Sequence, residues 1–362
     1  MQVKEILAKL IQFNTVKDKQ NQELVEFLVN FLKPQGFKFQ LIKNKSNGKI
    51  NLLAKYNNKK PAITFAGHMD TVTASENWSI NPWQLTEQGN KLFGLGSCDM
   101  KGGIAAFLTA IKETDPSKLK KGINLLFTYD EEIGFTGIID FLKKVKLKTK
   151  YVIIAEPTNL EPQIAAKGAI ALKIEFLGKE AHGSEPAKGI NSILLANKFL
   201  SSLTNYFEQL KGQRNNLFTL PFATLNVAKI SGGDAINKVP AKCVLEIEYR
   251  TINEKQGIKI YQDILILLRK LNCQFKIKIN LQTPPMFVKD KEFIKKIEKI
   301  TRQKAIGENS SNEGSYFSKY GYNCLVLGPG CQMSHKANEY VEKEQLNQAI
   351  EIYKKIIKEF CA

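Results

Sequence analysis

Histidine is scarce in this chain, and the first histidine is followed closely by an acid. The sequence has three histidines among 362 residues. His68 comes shortly after the apolar run 62–65 and precedes Asp70 by two positions, a spacing that can place both side chains on one side of a strand end. Proteins often orient a metal-binding imidazole with a neighbouring carboxylate. His68 is therefore a candidate metal ligand, and Asp70 is the carboxylate that would orient it. A surface hydrogen bond between the two is the alternative that this pair alone leaves open.

Acidic residues recur where later apolar runs end. Three such places follow His68, and they carry Asp99, the pair Glu131 and Glu132, and Glu156. Each has an ordinary explanation, because Asp99 could cap the next helix and the others could lie in solvated turns. Ligands of α/β sheets, however, gather at the carboxyl ends of strands. Acids at every junction therefore favour a metal site, and one glutamate of the adjacent pair could stay free as a general base.

The turn around Asp99 has the glycine content of a phosphate-binding loop without its chemistry. From position 94 to position 103 it reads Gly-Leu-Gly-Ser-Cys-Asp-Met-Lys-Gly-Gly. The Gly-x-x-x-x-Gly-Lys-Ser/Thr pattern is absent, and Asp99 stands where a dinucleotide-binding fingerprint has its third glycine. A carboxylate there repels a pyrophosphate and attracts a cation. The turn thus predicts cation binding.

The positive charge of the chain raises the question of nucleic-acid binding, and the composition argues against it. The formal net charge is +18, but only four of the 53 basic residues are arginine. Arginine is favoured for phosphate forks and base edges, and no basic block with interleaved aromatic residues occurs. We expect no nucleic-acid partner, although a basic field could still attract anionic substrates.

Nothing in the sequence indicates export or a membrane. The first residues are amphipathic and lack the apolar block and the cleavage site of a signal peptide, and no run of about 18 apolar residues occurs. The six cysteines form no Cys-x-x-Cys pair and suggest no disulfide framework. We expect a cytoplasmic protein with reduced thiols and no membrane contact.

The order of the predicted elements indicates two domains, as expected for a chain of this length. In residues 1–166 helices and buried strands alternate, which predicts an α/β domain with a mixed sheet flanked by helices. In residues 167–281 the strands alternate apolar and polar positions, and the order β-α-β-β-α-β predicts an inserted ferredoxin-like domain. Residues 282–362 return to the first pattern and complete the first domain.

Five motifs, in this order and at this spacing, resemble those of a known enzyme family. The motifs are Gly67-His68-Met69-Asp70-Thr71-Val72, Gly94-x-Gly96-x-x-Asp99-Met100-Lys101-Gly102, Asp130-Glu131-Glu132, Glu156-Pro157-Thr158 and Ser334-His335. Over essentially its whole length the chain is similar to the di-zinc amidohydrolases that include acetylornithine deacetylase, succinyl-diaminopimelate desuccinylase and aminoacylase. The stretches 93–96, 220–226, 232–237 and 325–330 resemble acetylornithine deacetylase most. The resemblance implies a zinc-peptidase-like catalytic domain that hydrolyses the amide of an N-acyl amino acid.

The resemblance also implies which residues hold the metal. Asp99 would bridge two zinc ions, for which cobalt or manganese could substitute. His68 and Glu156 would complete one zinc site. Glu132 and His335 would complete the other.

Further residues would act around the metal pair. Asp70 would orient His68, and Glu131 would be the general base. His182, in the inserted domain, is similar to a histidine that reaches the partner subunit's active site in dimers of this family. Three more positions would bind substrate, namely Asn237, Arg250 and Gly330. A turn histidine and a structural ion pair are the alternatives for His182 and Arg250.

The resemblance leads to one expected reaction and leaves two alternatives. The expected reaction is the hydrolysis of N-acetylornithine to ornithine and acetate, a step of arginine biosynthesis, by a homodimer formed through the inserted lid domain. Succinyl-diaminopimelate, from lysine biosynthesis, or a dipeptide or other N-acyl amino acid is the second expectation. It stays open because residues 311–314 read Ser-Asn-Glu-Gly where relatives often carry Thr-Ser-Asp or Thr-Glu-Ala. A catalytically silent binding protein is the third, and the intact metal-site positions argue against it.

Overall fold

The computed structural model describes residues 1–56, 59–114, 118–330 and 333–362. They divide into two units. The first unit comprises Met1–Ile164, Phe287–Ile306 and Asn312–Ala362, and the second comprises Ala165–Met286 and Gly307–Ser311. Compared with the predicted insertion at 167–281, the second unit begins two residues earlier and ends five residues later. It also includes the segment 307–311, which the sequence analysis assigned to the first domain.

The first unit contains a mixed sheet, a smaller sheet and several helices. Its helices are α1 (Val3–Gln12), α2 (Gln22–Leu32), α3 (Lys101–Glu113), α4 (Thr136–Lys144), α7 (Lys291–Thr301), α8 (Gly314–Lys319) and α9 (Lys343–Cys361). Its strands are β1 (Phe37–Lys43), β2 (Ile50–Tyr56), β3 (Pro61–His68), β4 (Thr86–Gln88), β5 (Lys91–Phe93), β6 (Gly122–Thr128), β7 (Tyr151–Ile154), β15 (Asn323–Val326) and β16 (Tyr340–Glu342). Three short strands include residues of both units, namely β8 (Gln163–Ala166), β13 (Met286–Phe287) and β14 (Ile306–Glu308). Within the described ranges, no helix is both long enough and apolar enough to cross a membrane.

The strands of the mixed sheet that lie wholly in the first unit have the order β1-β2-β6-β3-β7-β15. β6, β3, β7 and β15 run parallel to one another, whereas β1 and β2 pair antiparallel. Parallel strands are normally covered on both faces, and every residue of β6 is buried. Phe65 on β3 contacts Phe107 on α3 and Tyr353 on α9, with ring centroids 6.0 and 5.3 Å apart. The predicted architecture, a mixed sheet flanked by helices, is confirmed.

A small antiparallel sheet with the order β16-β5-β4 was not predicted. In it Tyr340 lies opposite Phe93, so the residue before β16 approaches the turn that follows β5. This arrangement corrects one detail of the sequence analysis. The sequence predicts Asp99 at a strand-to-loop junction, but this strand, β5, belongs to the small sheet and not to the main one, and Asp99 lies two residues before α3.

The second unit is a four-stranded antiparallel sheet with two helices. Its elements are β9 (Gly168–Leu177), α5 (Ser192–Leu210), β10 (Thr224–Gly232), β11 (Lys242–Thr251), α6 (Glu254–Lys270) and β12 (Gln274–Thr283). The strand order β10-β11-β9-β12 is that of a ferredoxin-like fold, which confirms the predicted β-α-β-β-α-β element. Every second residue of β11 is buried, and these side chains share a core with those of α5 and α6, among them Phe199, Tyr249 and Ile264.

Candidate metal centre

Three neighbouring parallel strands end at the same edge of the first unit's sheet. β3 lies between β6 and β7, with His68 opposite Thr128 and Ala66 opposite Ile154. The chain therefore leaves β6 toward Glu131 and Glu132, and leaves β7 toward Glu156, beside the end of β3. Residues far apart in sequence meet here because carboxyl ends of parallel strands share one edge.

His68 is fully buried and faces two carboxylates. Its Nε2 lies 3.1 Å from Oδ1 of Asp99 and 3.3 Å from Oε1 of Glu156. Its Nδ1 lies 2.9 Å from the backbone oxygen of Asp70. A carbonyl oxygen only accepts hydrogen bonds, so Nδ1 carries the proton. Nε2 therefore faces two carboxylates, and either a proton on Nε2 or a metal cation between these groups would neutralise them.

His335 provides a second histidine to the same cluster. Its Nε2 lies 3.0 Å from the carboxylate of Glu132 and 3.5 Å from Oδ2 of Asp99. Asp99 therefore presents Oδ1 to His68 and Oδ2 to His335, as a carboxylate shared by two ions would. Two overlapping triads have their donor atoms within 4.8 Å of one another, namely His68, Asp99 and Glu132, and His68, Glu131 and Glu156.

Burial and mutual repulsion shift the pKa values of these groups. Burial works against a charged His68, but the carboxylates of Glu156 and Asp99 outweigh it and raise the pKa of the imidazole well above its usual range. For Glu131, burial acts in the opposite direction and is the largest cause that raises the pKa of the carboxyl group well above its usual range. Burial and the Asp99 carboxylate raise the pKa of Glu156 to about 8. The hydrogen bond to Glu132 raises the pKa of His335 to about 9.

The donor set fits a pair of divalent metal ions. It combines imidazole nitrogens with carboxylate oxygens, the ligands that zinc, cobalt and manganese accept. The raised pKa values report an excess of buried acid, and a cation among these oxygens would remove that excess. Oδ1 of Asp70 is buried without a hydrogen-bond partner among the described residues, and it lies 3.7 Å from Nδ1 of His68.

The predicted substrate residue Gly330 lies in the first unit, beside the centre. It adopts a φ of +106°, and a Cβ there would lie 2.7 Å from Sγ of Cys98, the residue before Asp99. Its N–H donates to Oε1 of Gln345 at 2.8 Å. A glycine is thus required at this position both by the backbone angle and by the close approach of Cys98.

The other three predicted site residues lie in the second unit. His182 is exposed and forms an isolated bridge with Lys238, and the N–H of Gly183 donates to the backbone oxygen of Asn237 at 2.7 Å. His182 and Asn237 are therefore neighbours. Arg250 lies on β11, where Nε donates to Glu248 at 2.7 Å and Nη1 to Oγ of Ser311 at 3.1 Å.

The sequence analysis gave no role to three charged residues that support the centre. Lys49 and Asp130 form a buried ion pair directly before Glu131. Glu339 is 1% exposed and accepts hydrogen bonds from the turn that carries Asp99. Glu339 lies four residues after His335 in the sequence, but its partners lie some 240 positions earlier in the chain. No local pattern reveals such a contact.

The chain matches a known protein family and is similar to a named relative. The family model for "Peptidase family M20/M25/M40" matches residues 64–359. The acetylornithine deacetylase of Buchnera aphidicola subsp. Schizaphis graminum is 34% identical over an alignment of 369 positions, and the alignment covers 98% of this chain and 95% of that protein.

Solved structures share the fold at lower identity. A tripeptidase from Staphylococcus aureus superimposes with a TM-score of 0.83 at 20% identity, covering 99% of this chain and 98% of that one. A dinuclear metal-binding peptidase of the M20 family from Bacillus subtilis superimposes with a TM-score of 0.72 at 14% identity, covering 99% and 98%. These two likenesses concern the fold.

Proposed function

The chain belongs to peptidase family M20/M25/M40 and is a hydrolase of amide bonds, and we propose that it hydrolyses N-acetylornithine to ornithine and acetate. The observation that carries the proposal is the position of Asp99 between His68 and His335, which supports a two-metal centre. The substrate is inferred from the relative that is called acetylornithine deacetylase.

The proposed metal ions are two zinc ions. Asp99 would bridge them, His68 and Glu156 would bind one, and Glu132 and His335 would bind the other. The support is that each histidine Nε2 lies within 3.5 Å of Asp99 and of one further carboxylate. When bound, the ions would polarise the amide carbonyl of the substrate and make a water molecule more acidic.

In this proposal Glu131 moves the protons. Its carboxylate would take a proton from the attacking water and pass a proton to the nitrogen of the leaving amine. The donor atoms of Glu131, His68 and Glu156 lie within 4.8 Å of one another, which supports a role for Glu131 as the base. Asp70 would hold the His68 ring, since both its backbone oxygen and its carboxylate face Nδ1.

His182 would stabilise the oxyanion that forms on the amide. The N–H of Ser184 donates to Nδ1 of His182 at 3.2 Å, so Nδ1 accepts and Nε2 carries the proton. An exposed Nε2–H is the donor that an oxyanion needs. We propose that this donor acts at the centre of the partner subunit, as the family resemblance implies.

Asn237, Arg250 and Gly330 are proposed to contact the substrate. The position of Asn237 beside His182 supports a shared role for the two. Arg250 uses two of its five N–H donors on Glu248 and Ser311, so the structural ion pair and a contact with the substrate carboxylate are compatible. Gly330 lies against Cys98 and Pro157, next to two proposed ligands.

A homodimer through the outer edge of β10 is part of the proposal. β10 pairs with β11 on one side, and no described strand pairs with its other side. Val227 and Ile230 on this strand are 41% and 50% exposed, and Leu194 at the start of α5 is 57% exposed. Open edges with apolar side chains are avoided in monomers. Ile230→Lys should shift the mass in light scattering toward the monomer, whereas Ile258→Lys, on the exposed face of α6, should not.

A cytoplasmic location completes the proposal. Among the described residues, Cys243, Cys273, Cys324 and Cys361 are free thiols. A reducing compartment maintains thiols in this state. The proposed step of amino-acid biosynthesis is compatible with that compartment.

Two measurements on one preparation test the function. Chelation should abolish hydrolysis, zinc or cobalt should restore it, and N-acetylornithine should be hydrolysed with a higher kcat/KM than N-succinyl-diaminopimelate or simple N-acetyl amino acids. A clear preference for the succinyl compound would replace the substrate and keep the chemistry. A protein that never binds metal would overturn the proposal.

A further inference from the structure

Glu339 lies directly before β16, and the pairing of β16 with β5 brings it to the turn that carries Asp99. Tyr340 is paired with Phe93, the last residue of β5. The N–H of Gly94 donates to the backbone oxygen of Glu339 at 3.1 Å. The main chain of Glu339 is thereby fixed at the first residue of the turn 94–99.

The side chain of Glu339 binds the rest of the same turn. Its Oε2 accepts a hydrogen bond from the N–H of Gly96 at 2.9 Å. Its Oε1 accepts from the N–H groups of Cys98 and Asp99 at 2.8 and 2.9 Å. With the bond from Gly94, four N–H groups in six consecutive residues end on this one glutamate.

This arrangement requires a carboxylate. Both oxygens of a carboxylate accept, whereas a glutamine side chain has one accepting oxygen and an NH₂ group that only donates. A glutamine here would turn its NH₂ group toward at least one of the three N–H donors. Because the site is buried, an N–H left without a partner is costly, and the turn would move to recover one.

We propose that Glu339 is a positioning residue that holds Asp99 with one oxygen toward His68 and the other toward His335. The inference rests on the proposed two-metal function. Glu339 also lies four residues after His335 on the same loop, so one side chain fixes two proposed ligands relative to each other. Loss of its carboxylate should weaken the binding of both ions, since Asp99 belongs to both sites.

The test measures metal affinity directly, with the isosteric variant Glu339→Gln and the control Glu342→Gln on the same short sheet. Cobalt or zinc is titrated into each protein against a competing chelator, and the visible absorption of bound cobalt reports the ligand geometry. We expect Glu339→Gln to bind metal about 10–100-fold more weakly and to change the cobalt spectrum. The unfolding temperature of its metal-free form should fall by only a few degrees, the effect of an unpaired N–H group. The control should match the wild type in each measurement.

A second variant separates positioning from general stability. Glu339→Ala leaves space for a small carboxylate, so added formate should recover part of its metal affinity while chloride should not. Wild-type affinity and an unchanged cobalt spectrum in Glu339→Gln would overturn the inference and leave the metal centre standing. Failure of formate to improve the alanine variant would also count against it. A wild-type protein without metal affinity would instead overturn the proposed function.

Discussion

The backbone N–H of Glu132 donates to Oδ2 of Asp70 at 3.1 Å. Asp70 lies in the loop after β3 and Glu132 in the loop after β6, so this bond joins the two loops. The other carboxylate oxygen of Asp70 lies 3.7 Å from Nδ1 of His68. Asp70 therefore contacts one proposed ligand of each metal ion.

Asp70→Asn should lower metal affinity and kcat/KM by about 10–100-fold, the usual effect of changing a residue that orients a metal ligand. The asparagine oxygen can still accept from Glu132, but its NH₂ group then faces the protonated Nδ1 of His68, donor against donor. Metal titration and steady-state kinetics check this result. Asp18→Asn, at an exposed position of the same unit, is the control, and equal behaviour of the two variants would contradict the role of Asp70.

Glu131→Gln should retain the metal and lose the reaction. The amide cannot take a proton, so kcat should fall by about 10²–10⁴-fold, the range of general-base catalysis. Metal analysis of the purified variant should show the wild-type content, because Glu131 is the free neighbour of the proposed ligand Glu132. A kcat within a few-fold of the wild type would assign the proton transfer to another group.

The sequence predicted the mixed sheet and the ferredoxin-like unit. These predictions succeeded where the physical signal is local. His68 and Glu156 follow runs of buried apolar residues, and parallel strands bring such positions to one edge. The alternation of apolar and polar residues along β11 likewise indicates which face of the strand is buried. The roles of the site residues remain predictions.

The supporting contacts could not be predicted, because their signal is not local. β5 and β16 have three residues each, too few for a periodic pattern, and they exist because distant segments pair. In the sequence, Glu339 looks like an acid in an exposed turn. Only the pairing of β16 with β5 buries it against the turn 94–99. Lys49 resembles any of the other lysines, and only the fold buries it against Asp130.

Lys49→Met should reduce the free energy of unfolding by about 3–5 kcal/mol, the cost of leaving one partner of a buried ion pair uncompensated. The Lys49 and Asp130 side chains are only 6% and 4% exposed. Lys49 also donates to the backbone oxygen of Lys17 at 2.7 Å. Urea unfolding measures the change, and Lys45→Met, at an exposed position of the same turn, should stay within about 0.5 kcal/mol of the wild type.

The double variant Lys49→Met with Asp130→Asn separates the ion pair from general packing. It removes both charges, so no buried charge is left unpaired, and it should be less destabilised than the single lysine variant. If the double variant is the less stable of the two, the cost of Lys49→Met lies in packing and not in charge.

Asp290 lies far from the metal centre, and it should make the stability of the protein depend on pH. It caps α7, where Oδ1 accepts from the N–H groups of Glu292 and Phe293 at 3.1 and 3.2 Å. The Lys150 ammonium, the Phe293 N–H and the Tyr151 hydroxyl lower the pKa of Asp290 to about 2. A pKa lowered by folding stabilises the protein above the ordinary aspartate pKa of about 4, and this stabilisation is lost as the pH falls toward 2.

Asp290→Asn keeps an oxygen that can cap the helix and removes the charge. Its free energy of unfolding should be lower than that of the wild type at pH 6 and should approach the wild-type value as the pH falls from 4 toward 2. Asp290→Ala also loses the cap and should cost about 1 kcal/mol more than the asparagine variant at every pH. Urea unfolding of the three proteins between pH 6 and pH 2.5 measures both effects. A difference between wild type and Asp290→Asn that stays constant over this range would show that the charge of Asp290 does not stabilise the fold.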